Sequence, residues 1–227
     1  MISAGSFGCW LSGVVSTVIH GSIGSDLKIE PSQDPDVLAV AGDVSDPATA
    51  ERIADEAMRR FGRIDTLVNN AGVFMSKPFT EYTAADYALI TGVNLGGFFW
   101  LTQRVIAEMT RRYGGHVVNI SATVAEVANS RAPSVLAALT KGGLAAATRS
   151  LAVEYASRGI RVNAVSPGII QTPVYPADSY DGLDDQLPPL GRVGQVSDVV
   201  DAILFLESSP YITGEILHID GGQTAGH

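Results

Sequence analysis

The sequence predicts an α/β protein built on a mostly parallel sheet with helices on both faces. Three observations carry this prediction. From residue 36 onward, short β-rich apolar runs alternate with longer helical patterns. Those runs are apolar on consecutive residues, the pattern of strands buried on both faces. Helix boundary signals fall between them: Asp46 and Pro47 open one helix, Gly62 closes it, and Gly159 closes another.

In order, "DVLAVAGDV" reads as a strand ending at Asp43. "DPATAERIADEAMRRFG" is an amphipathic helix with Ile53, Ala57, Met58 and Phe61 on one face. "IDTLVNNAG" is a strand running into a glycine turn, followed by a helical region over 84–113. "HVVNISA" is a strand, 134–158 a helix, and "IRVNAVSPG" another strand. Residues 171–195 are rich in Pro and Asp and predict an irregular substrate loop or lid. "SDVVDAILFLES" and "EILHIDGG" supply a last helix and strand. In parallel sheets ligands bind beyond the carboxyl ends of the strands, so Asp43, Asn70 to Gly72, Ser121, Pro167 and Gly168 are candidate site residues by position alone.

Bulk properties narrow the function. At 227 residues, 46% hydrophobic and 17% charged, the chain has the material for one domain with a sizeable core. The net charge of −9 and the scattered Lys and Arg exclude a nucleic-acid footprint. Cys9 is the single cysteine, which fits a reducing compartment and excludes an internal disulfide. The uncharged segment before Asp26 lacks the basic start of a secretory signal and is too polar to span a bilayer. The expectation is a cytoplasmic chain with no membrane partner, folded as one domain over 1–227.

Several short motifs then line up: "GDVSDP", "NNAG", "VNLGG", "VVNIS", Lys141, "NAVSPGIIQTP" and "ITGEILHIDGG". In this order and spacing they closely resemble the short-chain dehydrogenase/reductase family, over 36–227. The resemblance implies a Rossmann-type, doubly wound sheet and an NAD(P)-dependent oxidoreductase, moving a hydride between nicotinamide and an alcohol or carbonyl substrate. It implies NAD or NADP as cofactor, and no metal. Asp43 and Val44 would meet the adenine, and Asn70, Ala71 and Gly72 would pass under the adenosine ribose. Lys141 would bind the nicotinamide ribose, and Pro167, Gly168, Ile170 and Thr172 would cover the nicotinamide and pyrophosphate. Asn94 would interrupt its helix and hold a water of the proton relay. A homodimer or homotetramer is implied, joined through helices 84–113 and 134–158.

The sequence departs from the family in three places. The tyrosine expected four residues before Lys141 is Ala137. In the family that tyrosine protonates the alkoxide left by hydride transfer, and a spacing of four places it on the lysine's helix face. Thr140 points about 100° away around the helix, and Ser134 lies roughly 10 Å back and reads as the N-cap. Tyr155 lies far down the helix, and nothing in the sequence places Tyr175 or Tyr180 over the site. After "VVNI", where the second of two small hydroxyl residues is catalytic in the family, the run is Ser121, Ala122, Thr123, so either Ser121 or Thr123 is the candidate. Asn94, Ser121 and Lys141 form the predicted catalytic set.

At the front, the family's phosphate-binding glycine pattern survives only as Gly5 and Gly8, with Trp10 at the last glycine position. Residues 1–28 therefore read as a degraded or aberrant start, with the first strand missing or degraded and the second not legible in "HGSIGSDLKIEPS". Asp26 is a candidate ribose contact that reads more simply as a surface residue. Two alternatives to an oxidoreductase stay open: an inactive binding or scaffold protein of the same fold, and a truncated or frameshifted gene product.

Overall fold

The computed structural model describes residues 2–4, 21–27, 33–34, 36–172 and 187–226. Its main sheet has seven strands, all parallel, in the order β3-β2-β1-β4-β5-β6-β9. In chain order the elements are β1 (Ile2–Ala4), β2 (Ser22–Asp26), β3 (Val37–Ala41), α1 (Pro47–Phe61), β4 (Thr66–Asn69), α2 (Ala84–Thr91), α3 (Phe98–Arg112), β5 (Gly115–Ile120), α4 (Val135–Tyr155), β6 (Ile160–Pro167), β7 (Ile170–Gln171), β8 (Gly194–Gln195), α5 (Val196–Ser208) and β9 (Ile216–Ile219). The order reverses at β1, between β2 and β4, so a crevice opens at the carboxyl ends of the central strands.

The sheet is apolar on both faces because each face carries its own core. Leu67 of β4 and Val117 of β5 pack with Ile53, Leu101 and Val105 from α1 and α3. Their neighbours Val68 and Val118 point the other way, onto Val199, Val200, Ile203 and Leu206 of α5. A period of two side chains on a strand covered twice produces the unbroken apolar runs of the sequence. The boundary signals act as expected: the Asp46 carboxylate accepts from Ala48 N at 3.0 Å, and Gly62 ends α1 at φ 70°.

The first strand is not missing. Ile2–Ala4 pairs with β2 on one side and β4 on the other, so the central position is filled by three residues. The second strand is Ser22–Asp26, whose Ser and Gly residues hide the usual apolar alternation. Gly5, Gly8, Cys9 and Trp10 lie outside the described residues. The helical region 84–113 is broken by a π-helical stretch at Gly92–Gly97, which contains Asn94. The described ends of segment 171–195 are clamped by β7 pairing with β8, while Tyr175 and Tyr180 lie outside the described residues.

Two buried polar networks stitch the layers. At the amino end of β5, His116 Nδ1 stands 2.6 Å from Glu207 Oε2, and Thr66 Oγ1 donates to Glu207 Oε1 at 2.7 Å. Asn163 Nδ2 donates to His116 Nε2 at 3.0 Å, so the imidazole is neutral with its proton on Nδ1. Burial holds its pKa below the ordinary value. Arg161 reaches the carbonyls of Leu206, Glu207 and Ser209, completing the end of α5. Mid-sheet, Asn69 Nδ2 donates to Asn119 Oδ1 and to Thr102 Oγ1, both at 2.8 Å, and Asn119 Nδ2 donates to Thr148 Oγ1 at 2.8 Å. No helix among the described residues is long and apolar enough to cross a membrane, and no His, Cys, Asp and Glu cluster among them has metal-binding geometry.

Candidate active site

The carboxyl ends of β4, β5 and β6 and the first turns of α4 surround a pocket of about 190 Å³. Lys141 projects into it from α4. Its Nζ donates to Ile120 O, at the last residue of β5, at 2.6 Å. Among the described residues, no carboxylate pairs with it. Desolvation lowers its pKa from 10.5 to about 8.

Gly72 permits the close approach of the "NNAG" turn. A Cβ there would stand 3.1 Å from Lys141 Nζ. Asn94 holds the following residue in place: its Oδ1 accepts from Val73 N at 2.7 Å and its Nδ2 donates to Val73 O at 3.1 Å. Asn94 Nδ2 also donates to Thr140 Oγ1 at 3.0 Å, which ties the π-helical stretch to α4. Thr140 is fully buried in that bond, one residue off the pocket face. Asn94, Thr140 and Val73 thus form one hydrogen-bonded frame beside Gly72, and Lys141 Nζ, held on Ile120 O, packs against the same glycine.

The two hydroxyl candidates of "SAT" point elsewhere. Ser121 Oγ donates to Lys141 O at 3.1 Å, and Thr123 Oγ1 bonds Gln223 Oε1 at 3.4 Å. Between them Ala122 lines the pocket, as Ala137 does from α4. Ala122 and Ala137 therefore present methyl groups to the pocket, and neither Ser121 nor Thr123 is among its lining residues. The helix alignment shows Ala137 from sequence, because a spacing of four is legible there. The direction of Ala122 is not, because β5 stops at Ile120 and the chain turns into a 3₁₀ turn at Thr123–Ala125. Ser134 sits at the N-cap of α4 but makes no side-chain cap bond.

Of the other predicted residues, Asn70, Pro167, Ile170 and Thr172 line the same pocket. Gly168 packs against the C-terminal segment, where a Cβ would meet Asp220 Cα at 3.0 Å. Asp43 lies beyond β3 with its carboxylate on Ser45 N at 2.9 Å and Ser45 Oγ at 2.8 Å. Val44 packs under Gly97 of the π-helical stretch. Asp26 stands at the carboxyl end of β2, next to the central strand, a position the sequence alone did not reveal.

A family model described as enoyl-(acyl carrier protein) reductase matches residues 15–224. The 3-oxoacyl-[acyl-carrier-protein] reductase FabG of Thermotoga maritima is 37% identical over 193 residues, covering 83% of this chain and 76% of its own length. The solved structure of ElxO with NADP bound superposes with a TM-score of 0.90 at 28% identity, covering 99% of this chain and 98% of that one. A short-chain dehydrogenase from Leptospira borgpetersenii with bound NAD+ superposes with a TM-score of 0.87 at 28% identity, over 98% and 91% of the two chains. The chain belongs to the short-chain dehydrogenase/reductase family of NAD(P)-dependent oxidoreductases.

Proposed function

We propose that this chain transfers a hydride between NAD(P) and the carbonyl or alcohol group of a small, mainly apolar substrate held between Ala122, Ala137 and Lys141. The observation that carries this reading is Lys141 Nζ, held on Ile120 O and set beside Gly72 at an apolar pocket. Gly72 lets Lys141 Nζ close on the "NNAG" turn where a Cβ would crowd it, so the site fits a dinucleotide ribose lying between the turn and that ammonium. When bound, the nicotinamide supplies or accepts the hydride. Lys141 holds the ribose, Asn70, Ala71 and Gly72 lie beneath the adenosine side, and Pro167, Gly168, Ile170 and Thr172 cover the nicotinamide side. Asp43 and Val44 flank the adenine. Asp26, at the end of β2, favours NAD, because a carboxylate there accepts from the ribose 2′-hydroxyl.

The proton step falls to Lys141. Its ammonium gives a proton to the developing alkoxide directly or through solvent, and Asn94 keeps it in line by fixing Val73 and Thr140. Ser121 takes no proton step and serves to anchor β5 to α4. Turnover is correspondingly slow. Relatives named as 3-oxoacyl reductases support a ketone as the oxidised substrate. The single cysteine supports work in the cytoplasm. Exposed Phe99, Trp100 and Val153 on α3 and α4 support a homodimer or homotetramer joined through those helices, which light scattering would test.

The deciding experiment is a calorimetric titration of the folded chain with NADH and NADPH. The expected result is binding of NADH in preference to NADPH, followed by slow reduction of small ketones. A folded chain that binds neither overturns the proposal, and binding without any turnover leaves a dinucleotide-binding protein.

A further inference from the structure

We infer that Lys141 captures small aldehydes and ketones covalently as an imine on Nζ, an activity independent of hydride transfer. The geometry of the pocket carries this. Lys141 is the only titratable group among the described residues that line it, and the surrounding side chains are mainly apolar, including Val124, Ile170 and Val199. Its Nζ is anchored by one neutral carbonyl, Ile120 O. A tyrosine at 137 and a serine at 122 would place hydroxyls beside that nitrogen, but Ala137 and Ala122 leave methyl groups and room for a carbonyl carbon.

Electrostatics agree with the geometry. An ammonium desolvated without a counter-ion favours its neutral form. With a pKa of about 8, roughly a tenth of Lys141 is neutral at pH 7. Lys77 is the internal contrast in geometry: its Nζ lies outside this pocket and is held by the Asp86 carboxylate at 2.8 Å.

The chemistry balances without a further reactant. The Nζ lone pair attacks the carbonyl carbon, a C–N bond forms, and the C=O π electrons move to oxygen. A proton passes from nitrogen to that oxygen, giving a carbinolamine. Loss of water then gives the imine, a step favoured by an apolar lining. The imine nitrogen takes a proton from water, and added cyanoborohydride delivers a hydride to the carbon of that iminium, which fixes the adduct as a secondary amine.

The chain contains three lysines, Lys28, Lys77 and Lys141, so the adduct can be mapped directly. The folded chain would be treated with butanal and cyanoborohydride at pH 7 and digested, and N-butylation at each lysine followed by mass spectrometry. The expected result is modification of Lys141 at least about tenfold faster than Lys77, because Lys141 Nζ opens on an apolar pocket whereas Lys77 Nζ is held by a carboxylate. The preference should vanish in urea. Ala137→Tyr should slow Lys141 toward the rate of Lys77 while leaving Lys77 unchanged, because the phenol refills the space beside Nζ. Equal or slower modification of Lys141 in the folded chain overturns the proposal. So does a preference that persists in urea or that Ala137→Tyr leaves unchanged. Dinucleotide binding is measured separately, so failure here leaves the oxidoreductase reading standing, and the converse holds.

Discussion

The two ends of β5 make opposite use of polar residues. At the amino end, His116 is buried with Glu207 on one ring nitrogen and Asn163 on the other, while Glu207 also accepts from Thr66. Each polar group answers another, and the result is a closed tie between sheet and α5. At the carboxyl end, Ser121 and Thr123 turn to Lys141 O and Gln223, Ala122 and Ala137 face the cavity, and Lys141 Nζ has a single carbonyl among the described residues. Polar groups satisfied by one another stabilise a fold, whereas a buried cation with an incomplete set of partners costs stability and is kept for a ligand. One strand therefore carries a structural end and a chemical end five residues apart.

The largest expected effect tests the chemical end. Replacing Ala122→Ser and Ala137→Tyr together should raise ketone reduction by about 10²- to 10⁴-fold, the usual worth of a positioned acid. Steady-state rates with the preferred dinucleotide measure it. No gain would mean that the missing hydroxyls do not limit turnover.

Lys141→Met sharpens the contrast through stability. The folded-state pKa of Lys141, about 8, lies below its ordinary 10.5, so the unfolded chain binds more protons between those values and wild-type stability rises with pH there. Below about pH 8 the cost of burying the cation is complete. The variant should therefore be more stable than wild type at pH 7 by roughly 1–3 kcal/mol, with the gap closing above about pH 10.5. Dinucleotide affinity should fall at the same time. Urea unfolding at the two pH values checks the sign, and a destabilised variant at pH 7 would sink the assignment of Lys141 as a strained, ligand-directed group.

The structural end should behave in the reverse way. Glu207→Ala leaves His116 Nδ1 and Thr66 Oγ1 without their acceptor, and should cost roughly 2 kcal/mol while leaving dinucleotide affinity unchanged. Burial raises the Glu207 pKa, but hydrogen bonds from His116 and Thr66 outweigh it and leave the carboxyl below its ordinary value. Burial likewise lowers His116. Both groups take up protons on unfolding in acid, so their stability is present above about pH 6.5 and is lost as pH falls through about 4. Thermal melts from pH 8 to 4 should show a shallower decline in Glu207→Ala than in wild type.

The smallest effect is expected from Ser121→Ala. Its hydroxyl is bonded to the α4 backbone, so stability should fall by about 1 kcal/mol while the reduction rate holds within about twofold. A large loss of rate with unchanged binding would return Ser121 to the catalytic set.

The sequence by itself determined the repeated strand–helix order, because a strand covered on both faces must be apolar on consecutive residues. It determined the limits of α1, because Asp46, Pro47 and Gly62 act through local backbone bonds and angles. It also placed Ala137 and Lys141 on one face, because they are related by the period of a single helix. Only the tertiary structure decided the rest. Ile2–Ala4 and Ser22–Asp26 carry too few residues and too little alternation to declare themselves. They are strands because parallel ladders from β3 and β4, distant in the chain, align them. The directions of Ser121 and Thr123 turned on where β5 stops, which β6 and α4 set by packing against it. The pairing of His116 with Glu207, and of Lys141 with a lone carbonyl, likewise arises between elements far apart in sequence, where no local period reaches.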